Sequence, residues 1–292
     1  MIVITTPTGL IGRQVLDRVL AGDEPVRVIV RDRSRLSPQA RERVEVIDGS
    51  HGDPEVVDRA FAGADSVFWL APPNRSAPTV EAVYADFTRP ACEAIVRHGV
   101  ERVVDVSALG RGVSDRAGLV SASLAMDDLI ASTGVGFRAL LMPSFMDNVL
   151  RQAEAIKRHG MFFSTVAPER RLPTCATRDI AAVAADLLLD HSWSGQGTVA
   201  VLGPEDLSHL DMARIMSDVL GKPVGYRQIP IDAFSQQLAD AGMSEAMIEA
   251  MIEMMVAKDR GLDEAEPRTP QSTTPTSFRQ WCEEVLRPVV EA

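Results

Sequence analysis

The sequence is poor in the residues that build disulfides and metal sites. Its three cysteines are far apart and form no Cys-x-x-Cys pair, and its five histidines form no His-x-x-x-His pair. This usage gives no disulfide framework or zinc signature and is typical of a reducing compartment. We therefore expect no metal site. The residues concerned are Cys92, Cys175, Cys282, His51, His98, His159, His191 and His209.

Long apolar runs and an excess of positive charge are also missing. No stretch approaches the roughly 18 uninterrupted apolar residues of a membrane span, and no basic region precedes the apolar start of the chain. The formal net charge of -11 argues against broad affinity for nucleic acid or an anionic membrane, because such binding depends on basic patches. We expect a cytoplasmic protein with a small-molecule substrate and no nucleic-acid or membrane partner. The sequence is compatible with a homodimer.

Short apolar strands alternate along the chain with helical segments. This alternation predicts an α/β fold with a doubly wound parallel sheet over residues 1–148. Beyond residue 148 the alternation loosens, and we expect residues 149–292 to form a smaller α/β subdomain on the substrate side, packed on the core as one continuous unit. Six strands are predicted for the core, at 1–5, 26–30, 44–47, 66–70, 102–106 and 136–141.

A glycine turn joins the first strand to the first helix. The segment reads Thr6-Pro7-Thr8-Gly9-Leu10-Ile11-Gly12, and its two glycines keep the spacing of a dinucleotide-binding turn. The helix that follows directs unpaired N–H groups and its positive dipole end at a pyrophosphate. Thr6 occupies the position of the first glycine of this fingerprint, so an ordinary strand-to-helix turn also fits the segment taken alone.

Basic residues follow the second strand. Arg31 comes directly after the strand, at the distance from the glycine turn where a βαβ unit meets the adenosine ribose. An acidic residue there selects NAD, whereas arginines accommodate the 2′-phosphate of NADP. We therefore expect NADP(H) to be favoured over NAD(H). A solvated charged loop is the alternative interpretation of this run by itself.

The carboxyl ends of parallel strands meet at one edge of a sheet, where ligands of open α/β sheets bind. The six predicted strand ends would line one cleft there. They carry the Thr6 loop, Arg31, Ser50, Ala71-Pro72, Ser107 and Pro143 to Phe145.

Several segments stand in a recognisable order along nearly the whole chain. They are TPTGLIG, VRVIVRDRSRL, VFWLAPP, HGVERVVDVSALG, GVGFRALLMPSFMDNVL, TRDIAAVAADLLLD, LGPEDLSHLDMARIMSDVLGKPVGYRQIPIDAF and TPTSFRQWCEEVL. In this order and spacing they resemble the NmrA-like group of atypical short-chain dehydrogenases/reductases. The resemblance implies a Rossmann core that binds NADP(H) or NAD(H). Members of the group reduce quinones, other carbonyl compounds or enones, or bind the cofactor to sense redox state or control a partner.

The resemblance also implies which residues bind the cofactor. The glycine turn matches the pyrophosphate loop, and Arg31 with Arg35 match two basic positions associated with the 2′-phosphate. The ends of the fourth, fifth and sixth strands match the segments that face the ribose and nicotinamide. The cofactor site implied in this way comprises Thr6, Thr8, Gly9, Leu10, Ile11, Gly12, Arg31, Arg35, Ser50, Leu70, Ala71, Pro72, Ser107, Pro143 and Phe145.

The chain departs from the pattern of the group at several positions. Thr6 replaces the first glycine, Met142 stands where arginine often precedes the proline, and Ser50 stands where an acidic residue is usual. The Tyr-x-x-x-Lys dyad of ordinary short-chain dehydrogenases is absent, because neither Tyr84 nor Tyr226 is followed by lysine four residues later.

Ser107 and Asn148 are the remaining candidates to polarise a substrate oxygen. Asn148 matches a position that is commonly Asn in the group, just past the cofactor wall. A quinone can take its proton from water or a weak donor, so the missing dyad is compatible with turnover.

These residues favour an NADP(H)-dependent oxidoreductase that acts on a small conjugated carbonyl or quinone-like substrate. In such an enzyme the cofactor supplies the hydride and the protein mainly orients it. Two alternatives stay open. One is a redox sensor or regulator that binds NADP(H) without turnover, and the other is a tailoring enzyme of secondary metabolism that uses the cleft for a non-redox step.

Overall fold

The computed structural model describes residues 1–114 and 116–292. Its strands are short and are spread over the whole chain. They are β1 (Ile2–Ile4), β2 (Val26–Val30), β3 (Val44–Asp48), β4 (Ser66–Trp69), β5 (Arg102–Val106), β6 (Gly136–Leu141), β7 (Ser144–Phe145), β8 (Met161–Ser164), β9 (Leu172–Cys175), β10 (Gln196–Ala200), β11 (Asp206–Leu207) and β12 (Gly225–Gln228).

Helices fill most of the connections between these strands. The α-helices are α1 (Leu10–Val19), α2 (Pro38–Arg43), α3 (Pro54–Phe61), α4 (Ala85–His98), α5 (Leu119–Ala131), α6 (Ala153–His159), α7 (Thr177–Leu189), α8 (His209–Leu220), α9 (Ile231–Asp240), α10 (Glu245–Asp259), α11 (Phe278–Trp281) and α12 (Arg287–Glu291). Short 3-10 turns lie at Arg33–Arg35, Met146–Gln152 and Leu262–Glu264, and a π-helical turn at Cys282–Leu286 joins α11 to α12.

Seven parallel strands form the central sheet, in the order β10-β6-β5-β4-β1-β2-β3. Strands β4 and β5 are buried along their whole length, as expected for strands covered on both faces. The order of connection reverses between β1 and β4, which is the point where doubly wound sheets open a ligand cleft at their carboxyl edge. The predicted Rossmann α/β fold is confirmed.

Two layers of helices enclose the sheet. On one face α1 and α7 pack together over β1, β2 and β5, and on the other face α3, α4 and α5 cover β1, β4 and β6. Both α7 and β10 come after residue 148, so the later part of the chain contributes to the main core. A third apolar cluster joins the 3-10 turn at 146–152 to α6, α8 and the C-terminal helices.

The structure differs from the sequence-based expectation at the entrance to α4. The apolar spacing over residues 80–98 predicts one long helix, but α4 begins only at Ala85 and the preceding residues form turns. Here Val83 and Ala77 pack against Met247 of α10 instead of continuing the helix. The methionine-bearing helix α10 therefore lies beside the carboxyl edge of the sheet, where it also contacts Gly118 at the start of α5.

In residues 1–114 and 116–292 no helix combines the length and apolar character needed to cross a membrane.

Candidate cofactor and active site

The glycine turn after β1 has an unusual backbone at Thr6. Its φ angle is +49°, the one left-handed value at a non-glycine position in the described chain. The Thr6 carbonyl oxygen accepts a hydrogen bond of 2.9 Å from Gly9 N, which closes the turn. A β-branched residue in this region costs about 1–2 kcal/mol. Thr6 thus adopts the conformation that glycine favours.

Gly12 packs directly on this turn. A Cβ added at Gly12 would lie 2.2 Å from the Thr6 carbonyl oxygen and 2.9 Å from Thr6 Oγ1, distances that no side chain can occupy. The other glycine of the turn, Gly9, has more space, since its added Cβ would lie 3.3 Å from the same carbonyl oxygen. The close approach of α1 to the end of β1 therefore depends on Gly12.

The N-terminus of α1 is open. Gly9 is the N-cap residue, and no side chain in the described part of the chain caps the helix. The hydroxyl Oγ1 of Thr6 is buried beside it without a hydrogen-bond partner among those residues. Open N–H groups at a helix start and an unpaired hydroxyl are suitable ligands for a pyrophosphate.

The arginines after β2 differ in what they contact. Arg33 pairs with Asp48 at the end of β3. Arg31 and Arg35 are exposed, and neither forms an ion pair within residues 1–114 and 116–292. Two of the three cations after β2 thus remain available to an anion.

The acidic residue in the same loop is occupied locally. Asp32 accepts hydrogen bonds from the backbone N (2.9 Å) and the hydroxyl (2.6 Å) of Ser34, and these bonds lower the pKa of its carboxyl. The carboxylate caps the 3-10 turn at Arg33–Arg35. The acidic side chain that could select a ribose 2′-hydroxyl is therefore engaged with the turn.

A cavity of about 320 Å³ lies between α1 and the loop after β2. This volume is within the usual range of small-molecule sites. Arg13 in the first turns of α1 lines it together with Arg35. Sequence reasoning missed Arg13, because the glycine motif does not specify a basic residue at any position of the helix that follows it. The lining residues are Pro7, Arg13, Gln14, Leu16, Asp17, Arg35, Leu36, Ser37 and Ala40.

The end of β4 is held in place from both sides. Thr5 Oγ1 donates to the Phe68 carbonyl oxygen (2.9 Å) and accepts from Leu70 N (3.1 Å), which ties β1 to β4 across the switch point. His51 Nε2 lies 3.1 Å from the Leu70 carbonyl oxygen. These contacts position the Leu70, Ala71 and Pro72 segment that sequence reasoning placed in the cofactor site.

His51 is a buried neutral base in this arrangement. It is only 7% exposed and stands edge-on to the rings of Trp69 and Phe87, at centroid distances of 5.1 and 4.9 Å. Burial lowers the pKa of His51 to about 4, so its imidazole is uncharged at neutral pH and can donate to the Leu70 carbonyl oxygen. Ser50 precedes it in a turn, where its hydroxyl accepts from Gly52 N at 3.3 Å.

Ser107 lies at the carboxyl end of β5 and is 6% exposed. Its backbone N donates to the Leu140 carbonyl oxygen (2.9 Å) and its Oγ donates to Asp127 Oδ2 of α5 (2.5 Å). Asp105 of β5 is fully buried beside the Asp127 carboxyl. Burial raises the pKa of both carboxyls, and the proximity of Asp127 raises that of Asp105 further.

The other predicted residues occupy different surroundings. Pro143 is buried after β6, and Phe145 lies in β7, which pairs with β9. Asn148 is exposed on the 3-10 turn at 146–152 and makes no side-chain hydrogen bond in the described part of the chain. The structure therefore places Ser107 at the buried edge of the sheet and Asn148 on the exposed turn.

Three residues near Ser107 were not predicted. In the sequence, Asp105 is one polar residue in a predicted strand and Asp127 is one in a predicted helix. Only the fold brings them together. Tyr84, which lacks a lysine partner, lies half-buried at the start of α4, where burial and then the Asp105 charge raise its pKa to about 12. A carboxylate among the valines of β5, after Arg102, was the one signal available for Asp105.

No group of three or more histidine, cysteine or acidic side chains that could hold a metal is found in residues 1–114 and 116–292.

The parallel sheet, its β1/β4 switch and the open helix start after a glycine turn together define a dinucleotide-binding protein. Comparison with known families agrees with this class. A family model described as "NAD(P)H-binding" matches residues 7–191, and the model of the "NmrA-like family" matches residues 129–281. The chain therefore belongs to the NmrA-like, NAD(P)H-binding family, as the sequence predicted.

Three curated relatives cover most of the chain. A (4-alkanoyl-5-oxo-2,5-dihydrofuran-3-yl)methyl phosphate reductase of Streptomyces griseus is 30% identical over 80% of this chain and 78% of its own length. An NAD(P)H azoreductase of Xenophilus azovorans is 26% identical over 85% and 84%. Prestalk A differentiation protein A of Dictyostelium discoideum is 23% identical over 98% and 92%. Two of these relatives are named as reductases, one of them NAD(P)H-dependent, in agreement with the predicted class of enzyme.

Solved structures share the fold at lower sequence identity. A nucleoside-diphosphate-sugar epimerase from Staphylococcus aureus superposes with a TM-score of 0.82 at 17% identity, covering 97% of this chain and 99% of that one. Triphenylmethane reductase of Citrobacter sp., solved with NADP(H), has a TM-score of 0.78 at 20% identity, covering 96% and 98%. Both likenesses extend over the C-terminal part as well as the sheet.

Proposed function

We propose that this protein is an NADP(H)-dependent reductase of a small conjugated carbonyl or quinone-like substrate. The observation that carries the proposal is the arrangement of anion ligands around the α1 start. Open N–H groups and the unpaired Thr6 hydroxyl lie at the glycine turn, and Arg31 and Arg35 lie without carboxylate partners after the next strand. In a βαβ dinucleotide-binding unit, the glycine turn serves the pyrophosphate and the end of the second strand serves the adenosine ribose and its 2′-phosphate.

The cofactor residues take distinct parts in this proposal. Gly9 to Gly12 hold the pyrophosphate, and Arg31 with Arg35 hold the 2′-phosphate through charge-assisted hydrogen bonds. Arg13 lines the cavity between α1 and the loop after β2 together with Arg35. The ends of β4, β5 and β6 would then face the ribose and nicotinamide, with Ser107 on the nicotinamide side of the site. When bound, the cofactor supplies the hydride.

The substrate class follows from the site and the relatives. Ser107 brings one hydroxyl to the end of β5, and the helix that would carry a Tyr-x-x-x-Lys lysine has none. A substrate whose double bond or ring accepts hydride readily suits such a site, because little acid catalysis is then needed. The named substrate of the Streptomyces griseus relative, an alkanoyl oxo-dihydrofuran, is of this conjugated kind.

Steady-state NADPH oxidation with a panel of quinones, enones and azo compounds tests the proposal. We expect turnover with at least one quinone or enone and faster turnover with NADPH than with NADH. Inactivity across the whole panel, in a protein that still binds NADPH, would contradict the reductase function.

One observation favours a second function, that of an NADP(H)-binding regulator. The relative that covers 98% of this chain is named for differentiation and not for a reaction. This alternative predicts NADPH binding without turnover and a protein partner whose affinity changes with the NADP⁺/NADPH ratio. Pull-down at the two cofactor states distinguishes it from the reductase.

A further inference from the structure

Two carboxyls are buried together behind Ser107. Asp105 is 0% exposed and Asp127 is 2% exposed, and the two carboxyls are close enough for each to shift the pKa of the other. Both oxygens of Asp105 and Oδ1 of Asp127 are buried without a hydrogen-bond partner of normal geometry among residues 1–114 and 116–292, and the backbone N–H of Val106 offsets only part of the rise in the pKa of Asp105. Two ionised carboxylates in contact repel strongly at low dielectric, so the pair is stable only with a proton between them.

The groups facing the pair do not supply a compensating charge to Asp105. From the α4 side, Tyr84 and Cys92 face it, and burial raises the pKa of each to about 12, with the Asp105 charge adding to the shift, so both are neutral. From the loop after β5, Arg111 approaches only Asp127, with Nη2 3.3 Å from Oδ2. No cation therefore compensates a negative charge on Asp105, and Asp105 avoids that charge by sharing a proton with Asp127.

Ser107 connects this pair to the sheet edge. Its Oγ lies 2.5 Å from Asp127 Oδ2, a short contact between two oxygens that can share a proton in either direction. When Asp127 carries the proton and donates it to Ser107 Oγ, the serine hydroxyl is released to donate toward the cleft. The three groups thus form a chain from the buried pair to the position proposed for the substrate.

We propose that Asp105 and Asp127 hold one proton between them and deliver it through the Ser107 hydroxyl to the oxyanion that hydride transfer leaves on the substrate. This inference rests on the reductase function proposed above. It gives the chain a proton source in place of the absent Tyr-x-x-x-Lys dyad. Asp105 and Asp127 act through Ser107 and are positioning residues in this scheme.

The step balances for a quinone. Hydride transfer moves one hydrogen and two electrons from NADPH and leaves a hydroquinone monoanion and NADP⁺. The Ser107 O–H bond breaks as the new O–H bond forms on the product oxygen, and the Asp127 O–H bond breaks as Ser107 recovers its proton. Solvent returns one proton to the pair beside Arg111, whose side chain is 44% exposed. The sum is quinone, NADPH and one proton giving hydroquinone and NADP⁺.

Turnover of 1,4-naphthoquinone with NADPH from about pH 6 to about pH 9 tests the relay. We expect Asp127→Asn to lower kcat about 10²-fold without changing the KM for NADPH. Asp105→Asn removes the repulsion that keeps Asp127 protonated, so the fall in kcat at alkaline pH should move to lower pH. The matched control Asp186→Asn, on the exposed side of α7, should leave the profile unchanged.

A second measurement needs no turnover. Infrared spectra of the wild-type protein at neutral pH should show the C=O band of a protonated buried carboxyl, and Asp105→Asn should remove it. If the band is present but no quinone is turned over, the result would support the shared proton and contradict only the reductase function. Wild-type kcat and pH profile in Asp127→Asn, or the absence of the band from the wild-type protein, would overturn the inference.

Discussion

Gly12 and Thr6 are packed so closely that a methyl group cannot fit between them. The added Cβ would lie 2.2 Å from the Thr6 carbonyl oxygen, well inside van der Waals contact. Because this contact holds the start of α1 against the end of β1, it also sets where the open N–H groups point. Substitutions on either side of the contact test the pyrophosphate site separately from the chemistry.

Gly12→Ala should destabilise the protein and abolish cofactor binding. Overpacking of a fitted contact costs about 1–3 kcal/mol, and any relief of the clash must move the helix start. Thermal unfolding with and without NADPH measures both effects. Gly22→Ala is the matched control, because its added Cβ has no neighbour nearer than 3.6 Å. An unchanged NADPH-induced shift in Gly12→Ala would contradict the assignment of this turn.

Thr6→Gly should raise the melting temperature of the free protein. It relieves a left-handed conformation that costs a β-branched residue about 1–2 kcal/mol and removes a buried, unpaired hydroxyl. If that hydroxyl binds the pyrophosphate, the NADPH-induced shift should become smaller in the same variant. A lower melting temperature for free Thr6→Gly would show that the turn depends on the threonine side chain.

Arg31→Ala and Arg35→Ala should each reduce the preference for NADPH over NADH. Loss of one charge-assisted bond to the 2′-phosphate should weaken NADPH binding about 10-fold and leave NADH binding unchanged. Titration calorimetry with both cofactors gives the ratio. Arg33→Ala is the control, since Arg33 already pairs with Asp48. If both arginine variants keep the wild-type ratio, the 2′-phosphate is bound elsewhere.

His51 should make the protein acid-sensitive. Its folded pKa of about 4 lies below the unfolded value of 6.5, so the unfolded chain binds more protons between these values and stability falls as pH falls through this window. The contribution is on the order of 3 kcal/mol when fully developed. His51→Gln should flatten the dependence of the free energy of unfolding on pH below 6.5. Exposed His159→Gln should not, and an equal slope in wild type and His51→Gln would contradict the burial effect.

The sequence predicted the fold well because strands and helices of the core are local patterns. Strands β2, β5 and β6 have the predicted bounds, as their apolar runs stop before Arg31, Ser107 and Met142-Pro143 respectively. The short strands β7, β8, β9 and β11 were missed. Each pairs with a partner far away in the chain, and pairing of that kind leaves little trace in a run of two to four residues.

The sequence by itself determined the alternation of strands and helices along the chain, the glycine spacing at Gly9 and Gly12 and the arginines that follow β2, because these depend on neighbours in the chain. Only the tertiary structure decided that Thr6 adopts a left-handed backbone and which arginine pairs with Asp48. It alone also brought Asp105 against Asp127 behind Ser107. Burial and contact between distant segments set these properties, and hydrophobic packing of the whole sheet determines which distant segments meet.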